Sequence, residues 1–287
     1  MSRIRILKPA LAAFAAVIIG SALVLGCSSD DDDGGNATGS NQPTSVAVSG
    51  SEEERAVEST IRDTIQAYSA ANTDQFLSYW TDEGLMNEFG ASRDDIRAAG
   101  AEFFGGPPIE VGEFENVDVQ EDSATAEFDF IFGAVVQPQR YSLVQEGTAW
   151  KINDTESMDA EIPDDATKVD MTLDEMSFGF DTSGVKTNVA FALDNAGEQP
   201  HEAILLKVPA GFTVDQLLQA DPSTLPSGVA IVGFAGPFEP GDSGTMVFSD
   251  PIPAGSYMFV CFVPDTTDPA ETPHAAKGMA TTFEVTQ

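Results

Sequence analysis

Pro253-Ala254-Gly255-Ser256-Tyr257-Met258-Phe259-Val260-Cys261-Phe262, followed after a polar insert by Pro273-His274-Ala275-Ala276-Lys277-Gly278-Met279, is the stretch from which the second half of the chain can be read. A Pro/Gly turn opens the first part. The aromatic and β-branched run after it predicts a strand that delivers Cys261 near its end. Besides 255–262 itself, residues 168–180, 187–195, 202–208, 229–234 and 244–249 upstream and 280–286 downstream have the same character. Gly-, Pro- and Asn-bearing turns such as Asn195-Ala196-Gly197 and Glu239-Pro240-Gly241-Asp242 separate them. Only 214–220 reads as a helix, behind Thr213 as its cap. Short strands at this spacing predict an all-β Greek-key sandwich over residues 165–287.

The chain has only two histidines, His201 and His274, and both lie in this half together with Cys261 and Met279. A soft thiolate, two imidazoles and a thioether form the ligand set of a mononuclear blue-copper site, in which the methionine is weak and axial. Zinc competes, since Cys/His sites suit it as well. A metal-free alternative also stands: a core cysteine with two surface histidines. It leaves Met279 and both Pro-His steps, Pro200-His201 and Pro273-His274, unexplained. No Gly-rich phosphate loop, Ser/His/Asp set or CxxC pair is present. With both histidines committed, the chain reads as an electron carrier or binding protein and not as an enzyme.

Leu193-Asp194-Asn195-Ala196-Gly197-Glu198-Gln199-Pro200-His201, the Pro-Ala-Gly-Ser-Tyr entry at 253–257 and the order Cys261, His274, Met279 resemble the cupredoxin (plastocyanin/azurin-like) family. The resemblance implies one copper ion, with His201, Cys261 and His274 as equatorial ligands and Met279 axial. It also implies single-electron transfer. The runner-up functions are a copper-binding or delivery module and a metal-free binding or assembly protein. One departure is plain: twelve residues, 262–273, separate Cys261 from His274, far more than small members of that family carry. The resemblance further implies that one edge of His274 faces solvent while Cys261 and His201 are buried. Asp265, Asp268 and Glu271 would then steer a basic redox partner toward it.

Residues 51–160 read differently. Val57, Ile61, Ile65 and Tyr68 recur at helical spacing behind Glu52-Glu53-Glu54. Residues 76–80 and 96–104 suggest two shorter helices. Ala124, Ala126, Phe128, Phe130 and Phe132 then alternate as a half-buried strand, and 141–145 with 148–152 form a hairpin across Glu146-Gly147. Helices first and an antiparallel sheet afterwards make an α+β layer. That order, with the closing Ala149-Trp150-Lys151-Ile152, resembles the NTF2-like (SnoaL/DUF4878-like) cone. The fold expected for the chain is therefore an α+β NTF2-like cone followed by an all-β, cupredoxin-like Greek-key sandwich, with a break near Ile162-Pro163-Asp164-Asp165. Asp129 and Glu127 share a strand with Phe128 and Phe130 but point to the opposite face. Trp80, Tyr79 and Phe103-Phe104 belong either to the core or to the wall of a cavity for a small apolar ligand.

Arg3, Arg5 and Lys8 before an apolar run ending in Val24-Leu25-Gly26-Cys27 resemble a bacterial lipoprotein signal over residues 1–26, with Cys27 lipidated. A single membrane-spanning helix is the competing reading. The acidic, Gly- and Ser-rich residues 27–50 read as a disordered tether. Together these predict a lipid-anchored protein of the cell envelope, on the extracytoplasmic side. The net charge of −34 argues against binding nucleic acid or anionic lipid directly. It fits a basic redox partner, or simply solubility.

Overall fold

The computed structural model describes residues 50–104, 109–221 and 224–287. The signal segment 1–26, Cys27 and the tether up to residue 49 lie outside the described residues. Among the described residues no helix is long and apolar enough to cross a membrane.

Helix α1 (Glu52–Ser69) starts where a capping box dictates: the Ser51 hydroxyl accepts the Glu54 N–H, and the Glu54 carboxylate accepts the Ser51 N–H at 2.6 Å. Its acidic first turn suits the positive end of the helix dipole. The expected stripe of Val57, Ile61, Ile65 and Tyr68 is buried. Three short helices follow, α2 (Thr73–Ser78), α3 (Asp82–Phe89) and α4 (Arg93–Ala99). Then comes an antiparallel meander of β1 (Ile109–Gln120), β2 (Ser123–Phe132), β3 (Val135–Glu146) and β4 (Ala149–Ser157). Gly84 lets α3 lie directly on β4: a Cβ there would stand 2.5 Å from the Ile152 carbonyl oxygen. The Tyr79 carbonyl accepts the Ile152 N–H at 2.8 Å, so the helical layer is tied to the sheet by backbone as well as by packing.

The second half supplies β5 (Thr167–Asp174), β6 (Ser177–Gly179), β7 (Val189–Asn195), β8 (His201–Lys207), α5 (Val214–Leu218), β9 (Ala230–Phe238), β10 (Ser243–Phe248), β11 (Gly255–Val260) and β12 (Ala280–Val285). The long strand expected over 168–180 is a hairpin, turned at Met176 in a left-handed conformation. Strands β10, β7, β5 and β6 face the sheet β12–β11–β8–β9. Between them lies a core that includes Phe191, Phe259, Phe283, Tyr257 and Cys261. The described chain thus has mixed α+β and β-sandwich character.

The two halves are joined by more than a linker. β10 pairs with β3, Val247 opposite Val136 and Phe248 opposite Val135, so one sheet runs β1-β2-β3-β10-β7-β5-β6. The Val232 carbonyl accepts the Ala134 N–H at 2.7 Å, and the Phe132 and Phe234 rings stand 6.3 Å apart. Ile204, Leu206, Met258 and Val260, on the other face of the β8–β11 sheet, join the apolar cluster of the first half.

Candidate metal centre

Along β11 the side chains alternate. Tyr257 and Phe259 point into the sandwich core, and Cys261, just past the strand, continues their side. Backbone bonds then fold the chain back on it. The Cys261 N–H reaches the Met279 carbonyl at 3.2 Å, the Ala275 N–H reaches the Cys261 carbonyl at 2.7 Å, and the His274 N–H reaches the Val263 carbonyl at 2.9 Å. The long insert is no obstacle because it is a built hairpin. Pro264 bridges Pro273, Asp265 N–H bonds Thr272 at 3.0 Å, and Lys277 Nζ holds Asp265 and Asp268 at 2.7 Å each. Gln199 Oε1 accepts both the Thr266 N–H and its hydroxyl, stitching the insert to the turn before His201.

These elements bring His201, Cys261 and His274 together, all with no solvent exposure. The two Nδ1 atoms are 3.1 Å apart, and Cys261 Sγ is 3.6 Å from His274 Nδ1. All three donors lie within 4.8 Å of one another. Two donors bonded to one ion at about 2.0–2.3 Å lie at most about 4–4.5 Å apart, so both measured separations suit a shared ion. The outward atoms, Nε2 of both histidines, are buried without a hydrogen-bond partner among the described residues. Met279 is buried too, in the cluster that holds Cys261, and its N–H bonds the His274 carbonyl at 3.0 Å. The His–Cys–His cluster is compatible with a copper site.

The pocket's dryness sets its charge states. Burial lowers the pKa of His201, against the opposing pull of Glu175, and lowers that of His274, with His201 beside it adding to the effect. Burial and then the Glu202 carboxyl push the Cys261 thiol up to about 12. Without a cation in the pocket the thiol stays protonated at neutral pH. Glu202 itself is driven up to about 7 by burial, although its Oε1 accepts the Phe262 N–H at 2.9 Å. Its own N–H lies 3.5 Å from Cys261 Sγ, a weak donor contact to the sulfur.

One expectation is overturned. His274 has no solvent-facing edge: backbone bonds fold the 3-10 turn His274–Lys277 back on Cys261 and Val263, and the ring is as buried as His201. Asp265 is likewise no open docking group, since it is buried and bound by Lys277. Sequence reasoning also missed Glu175, Gln199 and Glu202. Only Glu202, next to a histidine in an otherwise apolar strand, carried any signal.

In the first half, Asp129 and Glu127 lie opposite the buried phenylalanines, and Glu127 pairs with Arg140 at 2.7 Å. Trp80, Phe76, Phe89 and Phe103 pack ring against ring at 5.1–5.8 Å. One buried carboxylate was not foreseen. Glu88 on α3 accepts the Thr155 hydroxyl, and Tyr141 stands near enough that burial, then the Glu88 charge, pushes its phenol above the ordinary range.

No protein-family model matches the chain, and no curated protein does. Solved structures similar to parts of it include an NTF2-like protein of unknown function from Shewanella oneidensis, 10% identical, spanning 37% of this chain and 98% of its own, TM-score 0.31. An NTF2-like protein from Cytophaga hutchinsonii is 7% identical over 38% of this chain and 98% of its own, TM-score 0.32. Dithionite-reduced auracyanin from Roseiflexus castenholzii is 22% identical over 42% of this chain and 99% of its own, TM-score 0.29. The site's chemistry rests on its own donor atoms.

Proposed function

We propose that this chain is a cell-envelope copper protein, held to the membrane by lipid on Cys27, and that it passes single electrons through one site built by His201, Cys261, His274 and Met279. The observation that carries the reading is the convergence of two imidazole Nδ1 atoms, 3.1 Å apart, and the Cys261 sulfur, 3.6 Å from the Nδ1 of His274, in a buried pocket. Copper bound there would supply a one-electron couple that both soft thiolate and imidazole ligands tolerate. The rest is the protein's contribution. The residues of β8 and the 261–279 loop are pinned by backbone bonds, so the donors stay in place whichever charge the site carries. The apolar cluster that holds Cys261 and Met279, Phe259 and Leu205 among it, would exclude water and lower the local polarity, which tunes potential. On this reading residues 51–160 form an NTF2-like unit and 165–287 the cupredoxin-like unit, the first serving as a mount for the second.

The buried His274 changes how a partner must dock. Electrons would enter across the layer that covers the ring and not through an open edge. The partner, basic in charge, would form a weak and transient encounter of under about 1,200 Å².

The test is metal analysis with absorption spectroscopy on the soluble chain from residue 51. One copper per chain, an intense visible thiolate-to-copper band that bleaches reversibly on reduction, and loss of the band in Cys261→Ser are expected. Colourless Cu(I) uptake would favour the storage or delivery reading. Zinc retained in preference to copper would end the electron-transfer reading.

A further inference from the structure

Beside the ligands stands a carboxylate that the copper reading does not use. Glu175 lies in the turn between β5 and β6, and its Oε1 is 3.7 Å from Nε2 of His201, the nitrogen turned away from Cys261 and His274. That nitrogen is buried and has no hydrogen-bond partner among the described residues. Glu175 is no loosely waving side chain: its Oε1 accepts the backbone N–H groups of Glu198 and Gln199, the latter at 3.0 Å. The gap between carboxylate and ring is kept open by Gly197. A Cβ there would stand 2.7 Å from Glu175 Oε1 and 2.8 Å from His201 Nε2, so any larger residue would wedge the two apart.

We infer that Glu175 is the positioning residue of His201: its carboxylate accepts the Nε2–H and so holds the imidazole in the tautomer whose Nδ1 lone pair faces Cys261 and His274. A separation of 3.7 Å is ion-pair reach and exceeds a hydrogen bond. Closing it to hydrogen-bond length needs the ring and the carboxylate to approach by about 0.5 Å, with Oε1 still on its two turn N–H groups. A neutral imidazole has one N–H, so fixing it on Nε2 leaves Nδ1 as an acceptor. A carboxylate behind a ligand histidine also raises the basicity of the ligating nitrogen and stabilises the more highly charged ion. The turn between β5 and β6, distant in sequence from every ligand, thereby enters the site. The tautomer is a property of the metal-free chain, whereas its redox consequence rests on the copper reading above.

The experiment has two readouts. In the metal-free chain from residue 51, long-range nitrogen NMR should show His201 protonated on Nε2. In Glu175→Gln the amide oxygen can keep the two turn N–H groups while its NH2 faces the ring, so the tautomer should move toward Nδ1–H. Copper(II) affinity should fall by about 10–100-fold. For each tenfold not matched in copper(I) affinity, the reduction potential should rise by about 59 mV. Gly197→Ala, which inserts the wedge and keeps the charge, should act in the same direction. Glu198→Gln removes an exposed charge from the same turn and should do neither. An Nδ1–H tautomer in the wild type would overturn the assignment, as would equal effects of Glu175→Gln and Glu198→Gln. A chain that takes up no copper would sink the copper reading and leave the tautomer to decide this one.

Discussion

Cys261 sits where burial works against its own chemistry. A thiol pushed up to about 12 and shielded from solvent is a poor nucleophile at neutral pH. Alkylation of the folded, metal-free chain should therefore be slower than that of the urea-unfolded chain by at least about 100-fold, read by mass spectrometry over time. Comparable rates would mean that the pocket opens readily. Met279 allows a second test at this scale. Met279→Leu conserves volume, so it should cost less than about 1.5 kcal/mol by urea denaturation. It should retain copper while shifting the potential, since the axial position tunes potential more than it holds the ion. The grouping of His201, Cys261 and His274 was legible in the sequence because so few histidines and cysteines occur that their clustering is itself information. The burial of His274 was not legible. It depends on how the 261–279 loop folds back on Cys261 and Val263, a long-range arrangement with no local pattern to read.

Among the elements, the insert 262–273 is the one whose sequence most invited doubt, and its restraint is electrostatic. Lys277 draws the Asp268 carboxyl down to about 2, its hydrogen bond being the largest cause, and holds Asp265 well below the usual range. The same pairs raise the lysine. For the carboxyls, the folded pKa lies below an unfolded value of about 3.9, so their contribution is present above about pH 4 and is lost as pH falls toward 2. For Lys277 the folded value is the higher one. Its contribution is present below about pH 10.4 and is lost as pH rises through the raised value. Hydrogen exchange at Asp265, Asp268 and Glu271, whose amides bond within the hairpin, should accelerate at both extremes beyond its intrinsic pH dependence. Lys277→Met should flatten that response. Strand β11 makes a different kind of prediction. Phe259 touches Phe178, Phe191 and Phe283 at 5.0–5.7 Å, so Phe259→Ala should cost about 3–5 kcal/mol by urea denaturation. Most strands of the second half were legible from their β-branched and aromatic runs between turn residues. Helix α3 and strand β1 were not. Asp82-Glu83-Gly84 opens α3 with a residue that disfavours helices, and the glycine is there because the helix presses on Ile152. β1 carries Glu110, Glu113, Glu115 and Asp118 along an outer strand, and so many charges hid its alternation.

The whole molecule departs from its sequence reading in one respect. A composition change near residue 163 suggested two units in series, yet pairing between β3 and β10 is long-range and leaves no local pattern to read. Two short hydrophobic stretches, Val135-Val136 and Val247-Phe248, meet across the junction, and either could have ended its own sheet. The physical consequence can be measured. A fragment beginning at residue 165 would leave β10 as an open edge next to β7, with unpaired backbone groups beside apolar side chains, which invites edge-to-edge association. It would also uncover Phe234, whose ring faces Phe132 in the full chain, and take away the Gln137 amide that donates to the Phe234 carbonyl at 2.9 Å. The full chain's surplus of 47 acidic over 13 basic residues keeps molecules apart, but it also makes the folded state repel itself. The chain from residue 51 should then be monomeric and should melt higher as salt is raised from about 10 to 200 mM, where screening shortens to about a Debye length of 8–10 Å near the upper end. The fragment from residue 165 should melt lower, and added salt should promote its association by weakening the repulsion that opposes edge pairing. Light scattering alongside thermal melts decides it: a fragment that stays monomeric at 200 mM salt, with the full chain's melting temperature, would show that the β3–β10 pairing contributes nothing to holding the second half together.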